Sequence, residues 1–217
     1  MSTDMQLRQD VERELSWDPG LDARNVAVTA QSGVVTLTGH VNSYHAKMEA
    51  ERIAKRVYGV TGIANDIEVD WPGTKKLLDA DLVQAVLAAL KWNAAVPASK
   101  LKPIVRDGWL TLEGKVDWFY QKRAAENAVR SLSGIRGVTN NIMIESDVVP
   151  QRVSEKITEA LTRNAQLDAR RISVLAQDHK VTLSGSVRSW AERDDAETAA
   201  WAAPGITAVE NHIRVTA

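Results

Sequence analysis

The sequence predicts an α+β protein of three tandem αββαβ domains, each a three-stranded mixed sheet covered on one face by two helices. Three observations predict it. One phrase recurs three times at fixed offsets. Within each copy the hydrophobic period switches from helical to alternating and back. Breaker clusters separate the copies.

The recurrence is anchored by Val35-Thr36-Leu37-Thr38-Gly39, Leu110-Thr111-Leu112-Glu113-Gly114 and Val181-Thr182-Leu183-Ser184-Gly185, at offsets of 75 and 71 residues. The same offsets carry Leu7 to Leu82 and Val153, Val11 to Val86 and Ile157, and Leu15 to Leu90 and Leu161. They also align Gly59 with Gly134 and Gly205, and Asn65 with Asn140 and Asn211. The expected boundaries are residues 1–70, 79–145 and 150–217, with linkers at 71–78 and 146–149. Trp71-Pro72-Gly73-Thr74 and the run from Ser146 to Pro150 are the breakers. Linkers this short predict restrained neighbours rather than free tethers.

In the first unit, Leu7, Val11 and Leu15 fall on one face of a helix over Asp4 to Trp17, with Thr3 and Gln6 at capping-box spacing. Asp18-Pro19-Gly20 ends it. Val26, Val28 and Ala30 alternate, as do Val35, Leu37, Gly39 and Val41, so the two runs predict an antiparallel hairpin about Gln31-Ser32-Gly33. Asn42-Ser43 offers an N-cap to a second helix with Ala46, Ala50, Ile53, Ala54 and Val57 inward, and Gly59 is placed as its C′ residue. Ile63, Ile67 and Val69 form the last strand. Apolar residues alternating with polar ones predict a sheet with one covered and one open face.

With 217 residues, 25% charged and a formal net charge of −1, the chain has ordinary globular composition and no global field for nucleic acid, which is not an expected partner. Zero cysteines exclude disulfides and thiolate metal sites. No segment is long and apolar enough to span a bilayer, and the start lacks the features of a secretory signal. As written this reads as cytoplasmic, with the periplasm the alternative if a leader has been removed.

The repeated residues resemble the BON domain, named for bacterial osmotically induced and nodulation proteins. The first unit shows Gly39, Val41, Ser43, Lys47, Ala50, Ala54, Gly59, Val60 and Asn65. The second shows Gly114, Val116, Lys122, Ala125, Gly134, Ile135 and Asn140, with Trp118 in place of the serine. The third shows Gly185, Val187, Ser189, Arg193, Ala196, Ala200, Gly205, Ile206 and Asn211. The resemblance implies αββαβ units without known catalytic activity. It also implies association with osmotic stress, envelope integrity and phospholipid contact, and with potassium in one branch. Many members are periplasmic or lipid-anchored.

No phosphate loop, nucleophile motif or metal-ligand spacing appears, so no catalytic residue, metal or cofactor is expected. His40 and His45 lie at i, i+5 across a strand–helix junction, not as a helical metal pair. Gly39, Gly114 and Gly185 read as positions where the strand bends or a helix approaches the sheet closely, rather than as a ligand cradle. Asn65, Asn140 and Asn211 read as structural amides bonded to backbone, with a carbonyl ligand for a monovalent cation as the functional alternative.

Seven tryptophans against one phenylalanine are unusual. Trp190 matches Phe119 and Tyr44 as an architectural aromatic, and Trp17 and Trp92 are expected to cap the cores. Trp109 has outward parity, and Trp201 stands where other units have Lys55 and Arg130, so both are expected at contacts with a neighbouring repeat, a partner or a second copy. The second unit is the basic one, with Lys100, Lys102, Arg106, Lys115 and Lys122, while the third has a thin alanine face on its second helix and an acidic surface. The predicted function is therefore a non-enzymatic, stress-associated binding protein contacting anionic phospholipid or envelope protein. The alternative is a cytoplasmic potassium or small-ligand binder.

Overall fold

The computed structural model describes residues 4–70, 77–146, 152–163 and 169–216. Both linkers fall mostly outside them, and Thr3 of the expected capping box lies outside too; its other member, Gln6, donates to Asp10. The first repeat runs α1 (Asp4–Trp17), β1 (Val26–Gln31), β2 (Val34–Val41), α2 (Tyr44–Ala54) and β3 (Gly62–Val69). The second runs α3 (Asp79–Trp92), β4 (Leu101–Arg106), β5 (Trp109–Val116), α4 (Phe119–Val129) and β6 (Gly137–Ile144). The third runs α5 (Val153–Arg163), β7 (Ile172–Gln177), β8 (Lys180–Val187), α6 (Trp190–Trp201) and β9 (Ala208–Val215). A one-turn 3₁₀ helix precedes each first strand (Ala23–Asn25, Ala98–Lys100, Ala169–Arg171), an element the hydrophobic period gave no sign of.

Each repeat forms its own three-stranded sheet, in the orders β1-β2-β3, β4-β5-β6 and β7-β8-β9. β4 pairs antiparallel with β5, and β5 parallel with β6; the third sheet repeats this pattern. The described residues of 1–38, 50–66 and 146–217 form one compact unit, and those of 39–49 and 67–145 another.

The alternation read in the sequence sorts the faces. In the middle repeat Leu110, Leu112, Val116, Leu101 and Ile142 are buried with Leu82, Val86 and Leu90 of α3 and with Ala125 and Val129 of α4. Burying each large aliphatic contributes roughly 1.5–3 kcal/mol, which is what holds a unit of this size together. In the third repeat α6 buries only Ala196 and Ala200, and Trp201 packs half-buried against that core. Trp201 is therefore not at a fully solvent-facing position, as its Lys and Arg equivalents suggested; it supplies area that the alanine helix lacks.

Two aromatic expectations fail for a geometric reason. Trp17 and Trp92 are 84% and 88% exposed and cap nothing. Each follows its last core leucine by two residues, which at about 100° per residue turns it to the opposite side of the helix. Tyr44, by contrast, is buried, and Phe119 and Trp190 are half-buried, as an architectural aromatic requires.

The glycines at 39, 114 and 185 have φ of 117°, 134° and 130°. A Cβ at Gly114 would collide with the Lys100 carbonyl, and one at Gly185 with the Arg171 carbonyl. The close approach is thus that of the 3₁₀ turn before the edge strand, not of a helix. Gly59 has φ of 91° but does not cap α2 directly. The helix stops at Ala54, and turns bonded Arg56 N–H to Ile53 O and Val57 N–H to Ala54 O lead on to it.

Candidate functional site

The open face of the middle sheet brings together most of the residues singled out in the sequence. Register places Arg106 beside Trp109 and Trp109 beside Gly137; Lys102 lies beside Glu113, Glu113 beside Asn141, and Lys115 beside Met143. Strand periodicity sends all of these side chains away from the helices. Trp109, 52% exposed, lies flat across Gly137, the one residue there without a side chain, and its Nε1 donates to Thr139 Oγ1 at 2.9 Å. The indole is fixed by that bond, its ring still open to solvent. Ile104 and Met143 are exposed on the same face.

Around this apolar strip stand Lys102, Arg106 and Lys115, with the carboxylate of Glu113 between them. Lys115 Nζ reaches Glu145 at 2.6 Å. Lys100, at the rim, holds the Asp117 carboxylate at 2.9 and 3.0 Å. Two shallow depressions flank Glu113, one lined by Lys100, Lys102, Lys115, Asn141 and Met143, the other by Ile104, Arg106, Trp109 and Thr111. The sister sheets differ. The first presents Asp66 and Glu68, and in the third Lys180 is paired with Glu210.

Lys122 does not join this face. It sits on α4, in the helical layer, where burial pushes its pKa down against the opposing pull of Glu126. Its carbonyl accepts from Asn140 Nδ2 at 3.1 Å. Counting it among surface cations was an error of layer: helix residues and outward strand residues lie on opposite sides of a one-sided sheet.

The repeated asparagines are clamps. Asn140 Nδ2 also donates to Glu126 Oε2 at 3.0 Å, while its Oδ1 accepts from the Ile142 N–H at 3.3 Å. Asn211 repeats this with Arg193 O, Glu197 Oε2 and the Ile213 N–H, and Asn65 donates to Glu51. The two amide oxygens at 140 and 211 are already committed to backbone N–H groups, as the structural reading of these residues expects. Their carboxylate partners Glu51, Glu126 and Glu197 recur at the same offsets of 75 and 71, a signal that was available in the sequence. A second missed pair is Asp4 and Asp79. Each accepts from both N–H groups of its own hairpin turn, Ser32–Gly33 at 2.8 and 3.2 Å and Asp107–Gly108 at 2.8 and 3.0 Å.

Among the described residues no group of three or more His, Asp or Glu is arranged to hold a metal, and no helix is long and apolar enough to cross a membrane. His40 Nδ1 lies 2.8 Å from Asp70, and His179 Nδ1 lies 2.6 Å from the Gly205 carbonyl.

Comparison with known proteins agrees with the internal repeat. The BON domain model matches residues 3–70, 78–146 and 151–217. Osmotically-inducible protein Y of Escherichia coli (strain K12) is 29% identical over 126 residues, 56% of this chain and 63% of that protein, so the chain spans under two thirds of that relative. A 21 kDa hemolysin of Actinobacillus pleuropneumoniae is 30% identical over 135 residues, 61% of this chain and 69% of that one. A solved structure of CdsD, a structural protein of the type III secretion system of Chlamydia trachomatis, aligns over 96% of this chain and 91% of its own at 17% identity with a TM-score of 0.27. The three matches of the family model, coinciding with three copies of the αββαβ unit, establish that this chain belongs to the BON domain family and consists of three tandem members of it.

Proposed function

We propose that the protein is a non-enzymatic, stress-associated binding protein whose middle repeat docks on anionic phospholipid through the open face of β4-β5-β6. One observation carries the reading: Lys102, Arg106 and Lys115 surround an exposed Trp109, Ile104 and Met143 on the open face of one sheet. Cations over an apolar, indole-bearing strip suit a surface with phosphate outside and hydrocarbon beneath, and each cation near such a surface is worth about 1 kcal/mol. The names of the relatives, one osmotically inducible and one a hemolysin, fit a role at the cell envelope under stress. The same reading takes 1–70, 79–145 and 150–217 as three separate domains, which limited proteolysis tests by cutting first at 71–78 and 146–149.

Flotation with phosphatidylglycerol and with phosphatidylcholine vesicles at 50 mM and 500 mM salt tests the docking. The expected result is co-flotation with the anionic vesicles at low salt, weakened by high salt and by Trp109→Ala or Lys102→Glu. Failure of the wild type to float with anionic vesicles at low salt rejects it. The potassium alternative would use the amide oxygens of Asn140 and Asn211, each of which also accepts one backbone N–H. Equal melting temperatures in K⁺ and Na⁺ at matched ionic strength are expected.

A further inference from the structure

The first and third repeats meet at a small charged contact. Lys55, the residue after α2, extends its Nζ to Asp194 Oδ2 of α6 at 3.3 Å and to Glu51 Oε1 at 3.2 Å. Its carbonyl accepts the N–H of Ala191 at 3.3 Å. That N–H belongs to the first turn of α6, one of the donors a helix cannot satisfy internally. Ser189 Oγ takes the N–H of Glu192, and a carbonyl from another repeat takes that of Ala191. The C-terminal end of α2, carrying partial negative charge, thus abuts the start of α6, carrying partial positive charge.

The ion pair and the backbone hydrogen bond onto a helix start are both electrostatic. Lys55 is only 27% exposed at its side chain and Asp194 is 48% exposed, so salt reaches one partner freely. The equivalents of Lys55 in the other repeats are Arg130 and Trp201, and the latter packs on the core of its own repeat. Among the described residues the contact joins this pair of repeats. We infer that Lys55, Asp194 and the Ala191 N–H form an electrolyte-sensitive clasp that holds the first and third repeats together at low ionic strength and releases them as ionic strength rises. The screening length falls from about 10 Å at 0.1 M to about 3 Å at 1 M, so it comes down to the 3.3 Å separation of this pair only at the upper end of that range. Released repeats change the span of the chain without any repeat unfolding. The agent sensed is dissolved charge, not osmotic pressure as such.

The chain has no cysteine, so one introduced pair reports the distance cleanly. Spin labels at Gln31→Cys in the first repeat and Ser184→Cys in the third, both exposed positions, are read by double electron–electron resonance in the full chain. Going from 50 mM to 1 M NaCl is expected to shift the distribution from one short, narrow distance to a longer, broad one, while sucrose of equal osmolality leaves it unchanged. Asp194→Lys is expected to give the long distribution already at 50 mM, and Asp81→Lys, a reversal of equal size in the middle repeat, to leave the short one. Circular dichroism of each variant is expected to match the wild type. The inference is overturned if the wild type is already broad at 50 mM, if salt leaves the distance unchanged, if sucrose opens it as salt does, or if Asp194→Lys stays short.

Discussion

Replacing Asn140 by alanine removes three hydrogen bonds at once: donation to the Lys122 carbonyl, donation to the Glu126 carboxylate, and acceptance from the Ile142 N–H. A neutral bond of this kind contributes about 0.5–1.5 kcal/mol and one to a charged group about 1.5–3. Both side chains are half-buried, so water recovers part of the loss, and roughly 2–4 kcal/mol is expected for the middle repeat. For a unit of about 68 residues, total stability is of order 3–10 kcal/mol, so the clamp is a large share of it. Glu126→Ala removes one of the three bonds and is expected to cost less. The double variant is expected to show a coupling of about 1–2 kcal/mol, because the pair shares that bond. Native-state hydrogen exchange read on β6 peptides of the full chain reports the middle repeat alone, and a loss of this size speeds exchange by roughly 30- to 1,000-fold. An Asn140→Ala chain exchanging within threefold of wild type, or an additive double variant, would refute the clamp.

Further expectations concern the turns, the tryptophans and the titrations. Asp79→Ala should cost the middle repeat about 1–3 kcal/mol by orphaning both N–H groups of its hairpin turn, seen as faster exchange at Asp107 and Gly108. Gly114→Ala should cost at least about 2 kcal/mol through strain and the clash with Lys100, measured by urea unfolding, whereas a ligand cradle would lose binding and keep stability. Iodide should quench Trp17 and Trp92 fully and Trp201 weakly, checked with Trp→Phe variants one at a time. Burial disfavours charge on Lys55, but Asp194 and Glu51 outweigh it and hold its pKa above the ordinary lysine value. A raised basic pKa means the contact is fully present below the usual lysine range and is lost as pH climbs through the folded pKa, so the label distance should be constant from pH 6 to 9 and lengthen above about 10.5. Hydrogen bonds from Arg24 hold the Asp22 carboxyl at about 2, which a carbon-13 titration should show directly.

Much of the architecture was legible because it was written three times. Leu7, Val11 and Leu15 fix a helix face once, but their reappearance at Leu82, Val86, Leu90 and at Val153, Ile157, Leu161 removes coincidence. Outward parity likewise placed Trp109 correctly, since a strand's period of two admits only two answers. Reading failed where the decisive neighbour lay far along the chain. Glu126 looks like solvated helix surface until Asn140, fourteen residues on, is folded beneath it. Lys122 looks like one more surface cation until the sheet is known to be covered on its side. Trp201 looks exposed by comparison with Lys55 and Arg130, because nothing local says that a helix contributing only alanines to the core will draw a larger side chain inward. The 3₁₀ turns left no periodic trace, though they set the glycine positions that the sequence advertised most loudly.

Of the four methionines, Met143 lies on the open face of the middle sheet, while Met5 is on α1 and Met48 on α2. Methyl-labelled methionine therefore separates the proposed contact face from the rest of the chain in a single spectrum. Titrating phosphatidylglycerol vesicles at low salt should broaden the Met143 methyl signal first and leave Met5 sharp, with no change from phosphatidylcholine. A Met143 signal that stays sharp while another methionine broadens, or while the protein demonstrably floats, would contradict the assignment of that face.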